Sequence, residues 1–122
     1  MALGDLEISI APAGGGSTAV VEAVGEVDLG NSDQLAESAT AAGAGGGGVV
    51  LDMSGVTFMD SSGLKALLLA TRDLGAGLAV VVTPGSSVER LIVLAGVADR
   101  IPNYASRSEA LDALDSTGSR HS

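Results

Sequence analysis

Residues 49–69 read Val-Val-Leu-Asp-Met-Ser-Gly-Val-Thr-Phe-Met-Asp-Ser-Ser-Gly-Leu-Lys-Ala-Leu-Leu-Leu, and few folds accommodate such a stretch. Val49, Val50 and Leu51 form a short β-branched run of the kind buried on both faces of a sheet. Asp52 to Gly55 carries the residue types of a turn. Leu64, Leu67, Leu68 and Thr71 then recur at i, i+3, i+4 and i+7, the stripe of a helix with one buried face. Between turn and helix stand Asp60, Ser61 and Ser62. Asp and Ser begin helices because their side-chain oxygens accept hydrogen bonds from the unpaired first-turn N–H groups. The reading is strand, loop, helix, with two hydroxyls where the helix starts. That end of a helix favours negative charge.

The rest of the chain repeats this alternation. Leu6, Ile8 and Ile10 alternate with polar residues as a half-exposed strand, and residues 18–24 form a second. The turn at residues 13–16 makes the two a hairpin. Asn31-Ser32 is the expected N-cap of a helix to about Ala42, with Leu35, Ala39 and Ala42 as a thin packing face. Gly75 to Gly77 ends the second helix, and residues 78–82 form a buried strand. Pro84-Gly85-Ser86 opens a third helix bearing Val88, Leu91, Ile92 and Ala95, and Gly96 closes it. Residues 101–104 are a short strand. Residues 106–114 are a last helix with Ala110, Leu111 and Leu114 inward. The order β-β-α-β-α-β-α-β-α implies an α/β fold with a mixed, mostly parallel sheet. One domain over residues 1–115 and a disordered tail over 116–122 are expected.

Charge excludes several functions. Fifteen acidic against six basic side chains give a formal charge of −9, a surface that repels phosphate backbones and anionic membranes. With Phe58 and Tyr104 as the aromatics, there is no stacking platform for bases. Zero Cys removes disulfides, thiolate catalysis and Cys-based zinc sites. The start of the chain has no basic region like that of a signal peptide. Residues 66–70 and 78–82, the longest apolar runs, fall far short of the roughly 20 residues of a membrane span. The expectation is a cytoplasmic protein with no direct nucleic acid, no membrane, no metal and no cofactor.

Three enzyme-like patterns fail on context. Gly43 to Gly48 matches the glycine spacing of a dinucleotide loop, but here the order is helix, glycines, strand, the reverse of what places pyrophosphate at a helix N-terminus. Ser62-Gly63-Leu64-Lys65 has the Ser-x-x-Lys spacing without its partner motifs, which leaves Lys65 a solvated helix residue. The single His, His121, stands in the tail and serves no triad. Asp52 ends a buried strand as the phosphoacceptor of a two-component receiver would. The first strand ends without the acidic pair that would hold Mg²⁺, and Asp52 reads better as a turn residue.

Phe58-Met59-Asp60-Ser61-Ser62-Gly63-Leu64 is similar to the signature of STAS domains, in particular the bacterial anti-sigma-factor antagonists. Gly25-Glu26-Val27-Asp28 resembles that family's Gly-Glu-x-Asp after the second strand. Val88, Arg90-Leu91, Leu94 and Gly96-Val97 make a third match, and Ser108-Glu109-Ala110-Leu111 a fourth, all in family order. Ile92 and Ile101 depart from it, standing where relatives often have Phe, and the connector is unusually Gly-rich.

The resemblance implies a STAS fold with helices mainly on one face of the sheet, and a protein that is not an enzyme. It implies that the unphosphorylated chain binds an anti-sigma factor with Ser kinase activity and so releases a sigma factor. Phosphorylation at Ser61 would switch it off, and a phosphoserine phosphatase would reset it. Gly25, Glu26, Asp28, Asp60, Ser61, Ser62 and Gly63 would form the partner-binding surface. Two alternatives stand beside this. One is a STAS module of another assembly, a stress-signalling or lipid-transport complex without a phosphoswitch. The other is a receiver-like domain phosphorylated at Asp52.

Overall fold

Five strands lie in one sheet in chain order: β1 (Leu6–Pro12), β2 (Ala19–Val27), β3 (Val49–Met59), β4 (Leu78–Val81) and β5 (Asn103–Tyr104). They are seen in a computed structural model that describes residues 5–13 and 16–119. β1 pairs antiparallel with β2 as the expected hairpin, and every later pairing is parallel. The parallel pairs are joined by α1 (Ser32–Ala42), α2 (Ser61–Leu74) and α3 (Ser87–Leu94), and α4 (Arg107–Ser119) follows the last strand. The element order is the one the hydrophobic periodicity gives.

Strand alternation sorts the core onto two faces. Val21, Ala23, Val49, Leu51, Leu78 and Val80 face one way and meet Leu35 and Ala39 of α1, Ala66, Leu67 and Ala70 of α2, and Val88 and Ile92 of α3. Val20, Val50, Ala79 and Val81 face the other way and meet Ala110, Leu111 and Leu114 of α4. Three helices therefore cover one face and a single helix part of the other. The core is aliphatic, as the scarcity of aromatics requires, with Met53 and Met59 filling space beside it.

Several local expectations are corrected. Asp52 to Gly55 is not a turn: β3 runs unbroken through it. The pairing with β2 steps from Glu22↔Asp52 to Val24↔Gly55, and again from Gly25↔Val56 to Glu26↔Phe58, so β3 carries one extra residue at each step. These are β-bulges, and Asp, Ser and Gly suit a bulge as well as a turn. At the first, the Ser54 N–H donates to Asp52 Oδ1 at 2.9 Å, which pairs a donor that the disrupted ladder leaves over.

β2 also runs past Val24 to Val27, so Gly25 and Glu26 end a strand and do not lie in a loop. Gly25 has φ +120°, and a Cβ there would collide with the Asp5 carbonyl oxygen. The buried stripe of α2 is Gly63, Ala66, Leu67 and Ala70, with Leu64 and Leu68 only partly buried. Small residues let the helix approach the sheet closely, and the leucines flank that contact. α4 extends to Ser119, past the expected end at Leu114. The remainder of the expected tail, with His121, and part of the turn at residues 13–16 lie outside the described residues.

Candidate functional site

The parallel register carries β2 and β3 to the same end of the sheet, where Val27 stands opposite Met59. The Asp60 N–H donates to the Val27 carbonyl at 3.2 Å, joining the two chain exits. Asp60 is extended, at φ −99° and ψ −172°, and its Oδ1 accepts from the Ser62 N–H at 2.8 Å and the Gly63 N–H at 3.4 Å. It is the side-chain N-cap that the residue types predict. Ser61 is thereby the first residue of α2, and it is exposed. Ser62 beside it is half-buried, and Gly63 is buried within the helix–sheet contact.

After Val27 the chain crosses residues 28–31 into α1. Asn31 occupies the cap position without capping by its side chain. Its Oδ1 accepts instead from the Asp28 N–H, and its Nδ2 donates to the Glu26 carbonyl, both at 2.9 Å. Asp28 Oδ1 accepts from the Gly30 N–H at 2.9 Å, and the Asn31 and Ser32 N–H groups return to the Asp28 carbonyl. Asp28 is thus a half-buried brace of the loop, whereas the Glu26 side chain is exposed. A cleft of about 310 Å³ between this loop and the start of α2 is lined by Leu29, Ser32, Asp33, Ser61, Ser62 and Lys65, among others. The two stretches singled out in the sequence are neighbours through the Val27–Met59 pairing and the Asp60–Val27 hydrogen bond. Lys65, one helical turn beyond Ser61, is exposed. This constellation exposes the Ser61 hydroxyl at a helix start, beside a carboxylate, Asp60, that the Ser62 and Gly63 N–H groups already engage.

Asp52 lies elsewhere. It points to the α4 face, 4% exposed, and its Oδ2 accepts from Arg107 Nε at 3.0 Å and Nη2 at 2.6 Å. Ser54 Oγ donates to its other oxygen at 2.6 Å, and Glu22 shares Arg107 at 3.3 Å. Every carboxylate oxygen is engaged, which corrects the turn reading and leaves the receiver alternative without an accessible acceptor. Burial raises the Asp52 pKa, but the Ser54 and Arg107 hydrogen bonds outweigh it, and the net shift is downward. A carboxyl depressed on folding contributes stability above its unfolded pKa, and that contribution is lost as pH falls through the folded value. Asp52→Asn is accordingly expected to lower unfolding stability by about 2 kcal/mol at pH 7, discounted for the half-exposed Arg107. The gap from wild type should narrow in urea titrations repeated at successively lower pH, below the ordinary Asp range. A pH-independent gap would assign the loss to packing.

The sequence reading missed two features of this geometry. Leu29 is 79% exposed at the rim of the cleft. Ser86 and Ser106 cap α3 and α4 in Ser-x-x-Glu boxes, each accepting from the N–H of the Glu three residues on, at 3.3 and 3.2 Å. That spacing was visible in the sequence and marks both helix starts.

Comparison with known proteins places this geometry in context. The family model described as STAS domain matches residues 10–110. An anti-sigma factor antagonist from Mycobacterium paratuberculosis is 29% identical with a TM-score of 0.79, over 91% of this chain and 95% of that one. The anti-sigma factor antagonist SpoIIAA in its unphosphorylated form is 22% identical with a TM-score of 0.68, over 90% of this chain and 97% of that one. The Bacillus cell fate determinant SpoIIAA in the phosphorylated form is also 22% identical, with a TM-score of 0.59 over 87% and 97%. No protein of curated function matches the sequence significantly. No helix among the described residues is long and apolar enough to cross a membrane.

Proposed function

The chain belongs to the STAS domain family, and on that premise we propose that it is an anti-sigma factor antagonist whose partner binding is switched at Ser61. In the unphosphorylated state it binds an anti-sigma factor that is also an ATP-dependent Ser kinase, and a sigma factor is released. The kinase passes the γ-phosphoryl group of ATP to Ser61 Oγ and takes up the hydroxyl proton. A phosphoserine phosphatase restores the hydroxyl. The chain is substrate and ligand in this cycle, not catalyst. Positioning, metal and charge neutralisation come from the kinase. The cycle runs in the cytoplasm.

One observation carries the reading: Ser61 is the exposed first residue of a helix whose cap, Asp60, is anchored to the neighbouring strand end. A kinase receives a hydroxyl held at a fixed place on a rigid element. The 29% identity to an anti-sigma factor antagonist supports the partner class. In the proposed interface Glu26 and Ser61 are exposed and Asp28 and Ser62 half-buried beside them, while Gly25, Asp60 and Gly63 hold the backbone that presents them.

Incubation with the host's anti-sigma kinase and ATP tests the assignment. Ser61→Ala is expected to abolish phosphate uptake, and Ser62→Ala to leave it unchanged. Peptide mass spectrometry of the wild type locates the group. Phosphate on Ser62 would overturn the assignment, and tight binding with no phosphate uptake would favour a STAS module without a phosphoswitch.

A further inference from the structure

Leu29 has the highest exposure of any large apolar side chain among the described residues, at 79%. A single exposed leucine is ordinary on a protein surface; Leu94, on the short helix α3, is 77% exposed. Leu29 differs in what holds it and in what it borders. Its loop is cross-braced by Asp28 and Asn31 through side-chain and backbone hydrogen bonds of 2.9 to 3.1 Å. An apolar side chain on a pre-ordered loop loses little conformational freedom when a partner covers it. It also lines the same cleft as Ser61.

That cleft does not end at Leu29. A second one, of about 440 Å³, continues between α1 and α2 and shares Asp33 and Leu69 with the first. Its walls include Ala36 and Ala41, too short to fill the space between the helices. Acidic Asp33 and Glu37 stand one turn apart on its α1 side. The groove is thus largely apolar, carries Asp33 and Glu37 on its α1 side against Arg72, Asp73 and Lys65 on its α2 side, and ends at an exposed leucine. A second copy of a chain at −9 would bring like charge to the α1 side, and nucleic acid would do the same. The complement is a protein surface with an apolar socket and flanking Lys or Arg.

We infer that Leu29 is the hydrophobic anchor of the partner interface, entering a socket on an anti-sigma factor whose basic residues lie along Asp33 and Glu37 in the α1–α2 groove. The inference rests on the functional reading above and goes further, because it places the main source of affinity beside the phosphorylated residue. A phosphate at Ser61 then needs no direct clash to act. It introduces charge into the cleft that Leu29 and its socket must seal from water.

The test uses each purified anti-sigma ATPase of the host, titrated by biolayer interferometry against the full chain and its variants. Leu29→Ala is expected to weaken binding by at least about tenfold, mainly through faster dissociation, and Leu94→Ala to stay within about twofold. Both sites are exposed, so both variants should keep the wild-type melting point. A loss below tenfold for Leu29→Ala, or an equal loss for Leu94→Ala, overturns the anchor while Ser61→Asp still reports whether the switch reading stands. If no anti-sigma ATPase binds the wild type, the functional reading falls and the anchor with it.

Discussion

Ser61→Asp is expected to lose anti-sigma factor affinity by about two to three orders of magnitude while melting within a few degrees of wild type. The two halves have separate causes. Stability changes little because Ser61 is exposed at the first position of α2, where the helix dipole favours negative charge by roughly 0.3–1 kcal/mol. Two features offset that benefit. The Asp60 carboxylate already accepts from the Ser62 and Gly63 N–H groups, so the nearest first-turn donors are engaged. The chain as a whole also carries −9. Affinity falls because a partner surface built around a neutral hydroxyl would enclose an uncompensated charge, which costs several kcal/mol. Phosphoserine carries up to two charges and should act more strongly than Asp, its one-charge mimic. Thermal melts and a titration against the anti-sigma factor decide the matter. A variant that unfolds would make the switch conformational, and one that binds normally would put Ser61 outside the interface.

The site was legible where its chemistry is local. Asp60 caps α2 because a carboxylate one residue before a helix meets the N–H groups two and three positions on, whatever the rest of the chain does. The nearness of Glu26 to the Ser61 region needed a further premise, that the second and third strands are neighbours, and the parallel register of β2 and β3 supplies it. Legibility failed where one local signature serves two structures. Asp52-Met53-Ser54-Gly55 has turn composition, yet the ladder with β2 continues through it, and its Asp and Ser serve a bulge. It failed again where partners are remote. Arg107 and Asp52 are 55 positions apart, and no periodicity connects them. Leu29 was passed over for a third reason: hydropathy assigns a leucine to the interior, and only the braced loop shows this one held outside.

The α2 stripe shows how the core reaches the site, and it sets the second large effect. Spacing alone selected Leu64, Leu67, Leu68 and Thr71 as the inward face; Leu67 is buried as expected, but Gly63, Ala66 and Ala70 complete the stripe and Leu64 and Leu68 are only partly buried. A Cβ built on Gly63 would collide with Met59 Cγ and lie 2.8 Å from its Sδ and 2.9 Å from Val27 Cγ1. Val27 and Met59 are the paired strand ends from which the loop at Asp28 and the cap at Asp60 depart. Gly63→Val is therefore expected to cost about 3 kcal/mol or more, since over-packing a dense core forces side chains off their rotamers or moves the backbone. For a domain of this size that is a fall of roughly 10 °C in Tm. Gly63→Ala should lose less, because alanine recovers about 1 kcal/mol of helix propensity and Met59 is flexible. The clash has a specific signature. Met59→Ala removes the two nearest of the three atoms a new Cβ would meet, so Gly63→Ala/Met59→Ala should be more stable than the sum of its single variants by at least about 1 kcal/mol. Urea unfolding of the four proteins measures that coupling. Additive losses would mean that Gly63 is required for the backbone of the helix start and not for the close approach of α2 to the strand ends.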